Sequence, residues 1–315
     1  MSRKRVVCVV GPTGCGKTRM GVLLAQRYGG EVVSCDSMQL YRGMVIGTAA
    51  PTAEETQGVT HHMVGVVDPR EDYSVARYVH DAERCVDDIF ARGKLPILVG
   101  GTGLYLDALL SGREFAAGER GGAIRRELEE RVRAEGTEAL LRELALVDPE
   151  SAARLSPNDT KRIVRALEVW RETGKTITQH DLESRRVPPR YDAVTLGFTY
   201  EDRAVLRAQL DRRVDEMVRR GLFDEVRALL DSGVPRSATA FAAIGYKEAL
   251  ACLDGASSRE AAEEEIKLRT RQYAKRQLTW LRRRGDIHWF YWKETRNFSD
   301  ALAFSTEILT GLGVS

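Results

Sequence analysis

The stretch Arg5-Val6-Val7-Cys8-Val9-Val10-Gly11-Pro12-Thr13-Gly14-Cys15-Gly16-Lys17-Thr18 decides the fold of this chain. Its apolar first part reads as a buried strand, and residues 11–18 fit G-x-x-x-x-G-K-[ST] at every fixed position. Glycines let successive backbone N–H groups converge on phosphate oxygens, and the N-terminus of the next helix adds its dipole. Lys17 would reach the terminal phosphates, and the Thr18 hydroxyl could hold Mg²⁺. Gly11, Pro12, Thr13, Gly14, Cys15, Gly16, Lys17 and Thr18 are therefore the expected diphosphate or nucleotide cradle. The pattern does not choose a chemistry, because kinases, nucleotide hydrolases and some transferases share it.

Outward from this loop, short apolar runs alternate with helical patterns. Lys17–Tyr28 reads as a helix, 31–35 as a second strand and 63–67 as a third. Ser74 caps a helix with apolar residues at Val75, Val79, Ala82, Cys85 and Ile89, Gly93 ends it, and 96–99 is another strand. The alternation predicts an α/β fold, a P-loop NTPase-like parallel sheet flanked by helices. From about Gly112 the texture changes. Residues 119–146 are charge-dense with helical spacing, and a helix runs through Arg162, Ile163, Ala166, Leu167, Val169 and Trp170 to a stop at Gly174. Val187-Pro188-Pro189 reads as a hinge, since consecutive prolines cannot continue a helix. The predicted organisation is a core of 1–112 and 190–315 interrupted by an all-helical insertion, 113–189. Its later part should hold a strand at 191–199, helices at 202–220, 223–230 and 258–284, a strand at 287–292 and a last helix at 299–309.

Composition narrows the function. With 315 residues, 43% of them hydrophobic, the chain can bury a large core, which excludes disordered and disulfide-stapled classes. Basic and acidic counts of 48 and 46 nearly cancel, so a nucleic-acid partner must meet a local patch rather than bulk charge. Five cysteines without a C-x-x-C pair argue for a reducing cytosol. No apolar run approaches the roughly 18 residues of a membrane span. A cytoplasmic protein without membrane contact is expected.

Asp36 follows the second strand. A carboxylate beside bound phosphates suffers repulsion, so it is there to ligate a metal, to take a proton, or merely to cap a turn. Gly100-Gly101-Thr102-Gly103 is a second strand–glycine–helix junction, where Thr102 is either a cap or a hydroxyl donor to the diphosphate. His61-His62 is set aside as a metal site, because neighbours on a strand point to opposite faces. Residues 266–284 carry eight basic side chains and no acidic one. A helical wheel buries Ile266, Thr270, Tyr273, Gln277, Trp280 and Leu281, and the single-sign remainder suits a polyanion.

Several blocks in consistent order resemble the tRNA dimethylallyltransferases. They are the phosphate loop, Ser34-Cys35-Asp36-Ser37-Met38-Gln39-Leu40-Tyr41-Arg42-Gly43-Met44, Ile46-Gly47-Thr48-Ala49, Gly100-Gly101-Thr102-Gly103-Leu104-Tyr105 and Pro157-Asn158-Asp159 with Arg162. Arg165-Ala166-Leu167-Glu168-Val169, Ile244-Gly245-Tyr246-Lys247-Glu248, Thr270-Arg271-Gln272-Tyr273-Ala274-Lys275-Arg276-Gln277 and Trp280-Leu281-Arg282 complete the set. The resemblance spans residues 5 to 290. It implies an enzyme that transfers a dimethylallyl group from dimethylallyl diphosphate to N6 of the adenosine immediately 3′ of the anticodon, in tRNAs reading codons that begin with U.

By the same resemblance Asp36 is the general base, and Lys17, Thr102 and Arg213 act at the diphosphate. Arg213 is chosen over Arg212 by its place before Val214, Asp215 and Met217. Ser37 and Gln39 would meet the target adenosine, and Asp36, Met38 and Thr102 are also expected among the tRNA-binding positions. The anticodon stem-loop would meet Asn158, Asp159, Arg162, Ala243, Ile244, Gly245, Tyr246, Lys247, Arg271, Gln272, Lys275 and Arg276. With no C-terminal Cys/His cluster the chain resembles the bacterial form. Mg²⁺ is the expected cofactor and a monomer the expected state. Two alternatives keep the phosphate loop: an adenylate isopentenyltransferase acting on a free nucleotide, and a nucleoside or small-molecule kinase. A third makes the chain a nucleotide-switched RNA-binding protein without catalysis.

Overall fold

The computed structural model describes residues 4–112 and 122–314. Six strands form one parallel sheet: β1 (Arg5–Val10), β2 (Glu31–Ser34), β3 (His61–His62), β4 (Pro96–Gly100), β5 (Asp192–Tyr200) and β6 (Ile287–Trp292), in the order β3-β2-β4-β1-β5-β6. Helices cover both faces, which is why β1 is a continuous apolar run instead of an alternating one. Val7, Val9, Ile97, Val99, Val194, Leu196 and Phe198 share one core cluster with Met20 and Leu24 of the first helix and with Trp292. The loops after β1, β2 and β4 leave neighbouring strands at their carboxyl ends, the position where open α/β sheets bind ligands.

Two strand expectations need correction. The second strand ends at Ser34, one residue short of the expected end, and Asp36 stands beyond it. The third strand is His61–His62, not 63–67: Met63 takes a left-handed φ of 62°, and Val67 makes only an isolated bridge to Tyr41. His62 Nε2 is within 2.7 Å of the Glu31 carboxylate, and His61 Nδ1 within 2.9 Å of the Val59 carbonyl.

The chain divides into two compact units, Met1–Leu110 with Arg190–Ser315, and Ser111–Pro189. The Arg190 amide donates to the Leu110 carbonyl at 3.0 Å, so the backbone leaves and re-enters the sheet unit at one place. The second unit is helical among its described residues. The charge-dense stretch expected at 119–146 is two helices, Ala123–Glu135 and Thr137–Val147, broken at Gly136; Glu119 lies outside the described residues. Leu128, Leu140, Leu144, Ile163, Val164 and Leu167 form this unit's own core. Helices Pro149–Ala153 and Ile177–Arg186 were not anticipated, nor was Tyr246–Leu253 in the sheet unit.

The long basic helix is Arg259–Leu281, with Ser258 accepting from the Ala261 amide as its N-cap. Its buried side differs from the wheel. Ile266, Ala274, Gln277 and Leu281 are buried, Thr270 and Tyr273 are half-buried, and Trp280 is exposed. Trp280 is drawn outward because its indole N–H donates to Asp107 at 2.8 Å. The basic run is also less free than its sequence suggests. Lys267 pairs with Asp215 and Glu264, Arg269 with Glu265, Arg271 with Asp211, and Arg284 with Asp107 and Asp286. No helix of the described residues is long and apolar enough to cross a membrane.

Candidate active site

Two adjoining cavities open at the carboxyl ends of β1, β2 and β4. One, about 420 Å³, is polar and lined by the phosphate loop together with Asp36, Arg212, Arg213, Gln277 and Arg296. The other, about 270 Å³, is more apolar and is lined by Met38, Gly47, Val214, Met217, Ala243, Ile244 and Ile266 among others. Thr13, Asp36, Thr48, Arg213 and Tyr273 line both. The shared wall is where a phosphate-bearing group and an apolar or planar group would meet.

The phosphate loop is shaped by its glycines and fixed from three sides. Gly11 sits at φ 149°, where any Cβ would collide with the Phe198 carbonyl of β5. Gly16, in the left-handed region, caps helix Lys17–Tyr28, whose first amides remain free of a side-chain cap. Lys17 Nζ donates to the Pro12 carbonyl at 2.8 Å, curling over the loop. The Trp292 indole N–H donates to the Cys15 carbonyl at 2.9 Å. The Gln277 carboxamide accepts from the Thr13 amide at 2.9 Å and donates to the Gly101 carbonyl at 3.0 Å. Cys15 is fully buried, and burial pushes its thiol up, away from reactive thiolate.

Asp36 serves two ends at once. Its Oδ1 accepts from the Met38 and Gln39 amides at 2.9 and 3.3 Å, which is the turn-capping role, while the carboxylate also borders both cavities. Arg213 stands across from it. Burial lowers the Arg213 guanidinium below its ordinary value and the Asp36 charge opposes that shift. Among the described residues Arg213 makes no ion pair within 4 Å. Arg212 borders the polar cavity only, and is exposed. Burial, with the Asp36 charge nearby, pushes the Tyr273 phenol up to about 12, so it keeps its proton as a donor at neutral pH. Thr102 lines neither cavity. Its hydroxyl accepts from the Ser37 amide at 3.3 Å, fixing the turn that carries Asp36.

The loop 45–49, which supplies Gly47 and Thr48 to the apolar cavity, hangs on one carboxylate. Glu225 accepts from the amides of Val45, Ile46 and Gly47 at 2.9, 2.7 and 3.2 Å and from the Tyr246 hydroxyl. The Gln39 amide group donates to the Thr48 and Ala49 carbonyls and accepts from Ser34. Of the residues expected at RNA, Ser37, Met38, Ala243, Ile244 and Arg276 border the apolar cavity. Lys247, Lys275 and Arg276 are exposed, and Gln272 and Arg271 are half-buried. Tyr246 and Gly245 are buried, which makes them supports for the cavity wall and not surface contacts. Asn158, Asp159 and Arg162 lie at the start of helix Thr160–Thr173 in the second unit, with Asn158 and Arg162 exposed.

A family model described as IPP transferase matches residues 39–284. A relative from Thermomicrobium roseum named tRNA dimethylallyltransferase is 49% identical over 288 residues, 91% of this chain and 86% of that one. This chain belongs to the tRNA dimethylallyltransferase family. A relative of the same name from Caldanaerobacter subterraneus is 43% identical over 98% of each chain, and a model described as Isopentenyl transferase matches residues 4–68. The crystal structure of a full-length tRNA isopentenylpyrophosphate transferase from Bacillus halodurans is 41% identical, with a TM-score of 0.72 over 98% of this chain and 96% of that one. A eukaryotic dimethylallyltransferase acting on tRNA is 31% identical, with a TM-score of 0.81 over 98% and 80%. Like those relatives, this tRNA dimethylallyltransferase-family chain is a transferase.

Two residues of the site, Glu225 and Arg296, escape the motif reading of this tRNA dimethylallyltransferase-family chain, because their partners are distant in the chain. Gln277 stands in a motif block and in the buried stripe without a role assigned to it there, although a polar side chain in a buried stripe is a signal.

Proposed function

We propose that the protein transfers a dimethylallyl group from dimethylallyl diphosphate to N6 of the adenosine 3′ of the anticodon, in tRNAs that read codons beginning with U. The observation that carries this reading is the Asp36 carboxylate on the wall shared by a polar cavity lined by the phosphate loop and a more apolar one. The more apolar chamber beside the phosphate loop has room for an allyl chain and a planar base, which supports this reading.

The diphosphate lies against the amides of residues 14–18, with Lys17 and Arg213 countering its charge. The allylic C–O bond breaks, its electron pair departs with the diphosphate, and fixed cations stabilise that charge as it develops. The adenine N6 forms the new C–N bond and gives a proton to Asp36, whose Oδ1 is held by two amides and whose position is therefore set. The base must leave the stacked anticodon loop to reach this wall. Ser37, Met38 and Gln39 line or support its seat, Tyr273 donates beside it, and Thr102 steadies the turn. Asn158, Asp159, Arg162, Lys247, Lys275 and Arg276 supply RNA contacts, and Ala243 and Ile244 close the chamber.

Donor chemistry at the loop fits Mg²⁺: the Thr18 hydroxyl and the diphosphate oxygens are hard ligands, and Mg²⁺ keeps several waters. When bound, the ion would add Lewis-acid stabilisation of the leaving diphosphate. The protein is proposed to act as a monomer in the cytoplasm.

The test is mass spectrometry of an anticodon stem-loop incubated with the protein, Mg²⁺ and dimethylallyl diphosphate. The expected result is one dimethylallyl group on the adenosine 3′ of the anticodon. Modification of free adenylate with no change in the RNA would overturn the acceptor, and phosphate transfer from ATP would overturn the reaction.

A further inference from the structure

The polar cavity has a wall that the recognised motifs do not include. It is built by the segment joining β6 to the last helix, Phe298–Gly311, which lies beyond the 39–284 span of the family model. Arg296 in this segment borders the cavity beside Gly14, Gly16, Lys17, Thr18 and Arg213. A Cβ placed on Gly16 would stand 3.2 Å from the Arg296 Cδ, so the arginine stem crosses directly over the last glycine of the loop.

Its placement is braced. Arg296 Nε donates to the Tyr200 hydroxyl at 2.9 Å, at the carboxyl end of β5. The segment is pinned at both sides: Trp292 donates to the Cys15 carbonyl, and the Trp292 and Phe298 rings are 5.3 Å apart. With Nε committed, the two terminal nitrogens keep the fork that grips a phosphate bidentately. Among the described residues Arg296 makes no ion pair within 4 Å. Its charge is near enough to Arg213 to disfavour that second guanidinium's protonated form, after the larger effect of burial. The Asp36 charge acts on Arg213 more strongly than Arg296 does and offsets that repulsion in part, and a bound polyanion would add counter-charge to both guanidinium groups.

We infer that Arg296 is a further binding residue for the donor, gripping its diphosphate together with Arg213. This rests on the proposed donor. It assigns the C-terminal segment a direct role in holding the substrate and, after transfer, the diphosphate product.

Calorimetric titration with inorganic pyrophosphate and Mg²⁺, paired with steady-state kinetics, tests it on the full-length wild type, Arg296→Ala, Arg296→Lys and Tyr200→Phe. Arg296→Ala should weaken pyrophosphate binding and raise the KM for dimethylallyl diphosphate by about tenfold, the loss of one charge-assisted contact, with the KM for the stem-loop unchanged. Arg296→Lys, which keeps charge without the fork, should fall between, and Tyr200→Phe should show a smaller rise from the untethered arm. Wild-type pyrophosphate affinity in both Arg296 variants would overturn the inference while leaving the donor intact. A rise confined to the stem-loop KM would overturn it in favour of an RNA contact. If the wild type itself binds no pyrophosphate, the donor reading falls and this one with it.

Discussion

The side-chain oxygen of Gln277 accepts a hydrogen bond from the Thr13 amide at 2.9 Å, so a long basic helix holds the phosphate loop by one of its own N–H groups. The same carboxamide reaches the Gly101 carbonyl, and it is buried. Gln277→Leu keeps the volume and strands both backbone groups, each at a cost of about 1–3 kcal/mol. A Tm lower by roughly 5 °C and a raised KM for the diphosphate donor are expected. An unchanged Tm by scanning calorimetry would show the bridge to be without weight.

Asp36 can be tested without confusing its two roles. Asp36→Asn retains an oxygen for the Met38 and Gln39 amides and removes the charge proposed to take the proton. Turnover should fall by at least ~10²-fold while stem-loop affinity, measured by filter binding, stays within twofold. Asp36→Ala should add a loss of stability, since both amides then lose their acceptor. Equal loss of RNA binding and rate in the Asn variant would remove the base assignment.

The pairing of the basic helix predicts which cations answer to salt. Lys275, Arg276, Arg282 and Arg283 are exposed and make no ion pair among the described residues, whereas Arg271 is held by Asp211 at 2.7 Å. Each unpaired cation that meets a phosphate should lower the log–log salt slope of RNA binding by roughly 0.7–0.9 when replaced by Ala. Arg271→Ala should move the slope less. A slope indifferent to all four exposed positions would put the RNA elsewhere.

Glu31 sets an acid limit. It is buried at the start of β2, where Arg92, Lys94 and His62 converge on its carboxylate. The Arg92 hydrogen bonds first, opposed by burial and helped by Lys94 and His62, hold its carboxyl far below the ordinary value of 4.5. A depressed carboxylate contributes stability that is complete above the unfolded value and disappears as pH falls from there towards the folded one. The stability gap between wild type and Glu31→Gln in urea should be full at pH 7 and narrower at about pH 3.5. An equal gap at both would exclude the linkage.

How much was legible depended on whether the cause was local. The phosphate loop and β1 could be read because glycine spacing and a run buried on both faces are properties of consecutive residues. The two-residue β3 could not, since its extent is set by pairing with β2, and a left turn at Met63 cuts it short. Trp280 matched the buried stripe of its helix but faces out to reach Asp107, a residue 173 positions away. The acidic partners Asp107, Asp211 and Asp215 lie outside the basic helix, so its sequence overstated its free charge. Within the site, residues flanking the glycine junctions could be named from spacing, whereas Glu225 and Arg296 act on segments far from themselves in the chain.

The hydrogen bond from Arg190 to Leu110 makes the helical unit a cassette. Anything spliced between two residues already in contact leaves strand threading untouched, and lengthening such an excursion costs chain entropy only logarithmically. A lineage can therefore enlarge, trim or exchange what is inserted there while the sheet unit is inherited whole, and an engineer can graft a different helical unit onto the same scaffold at that seam.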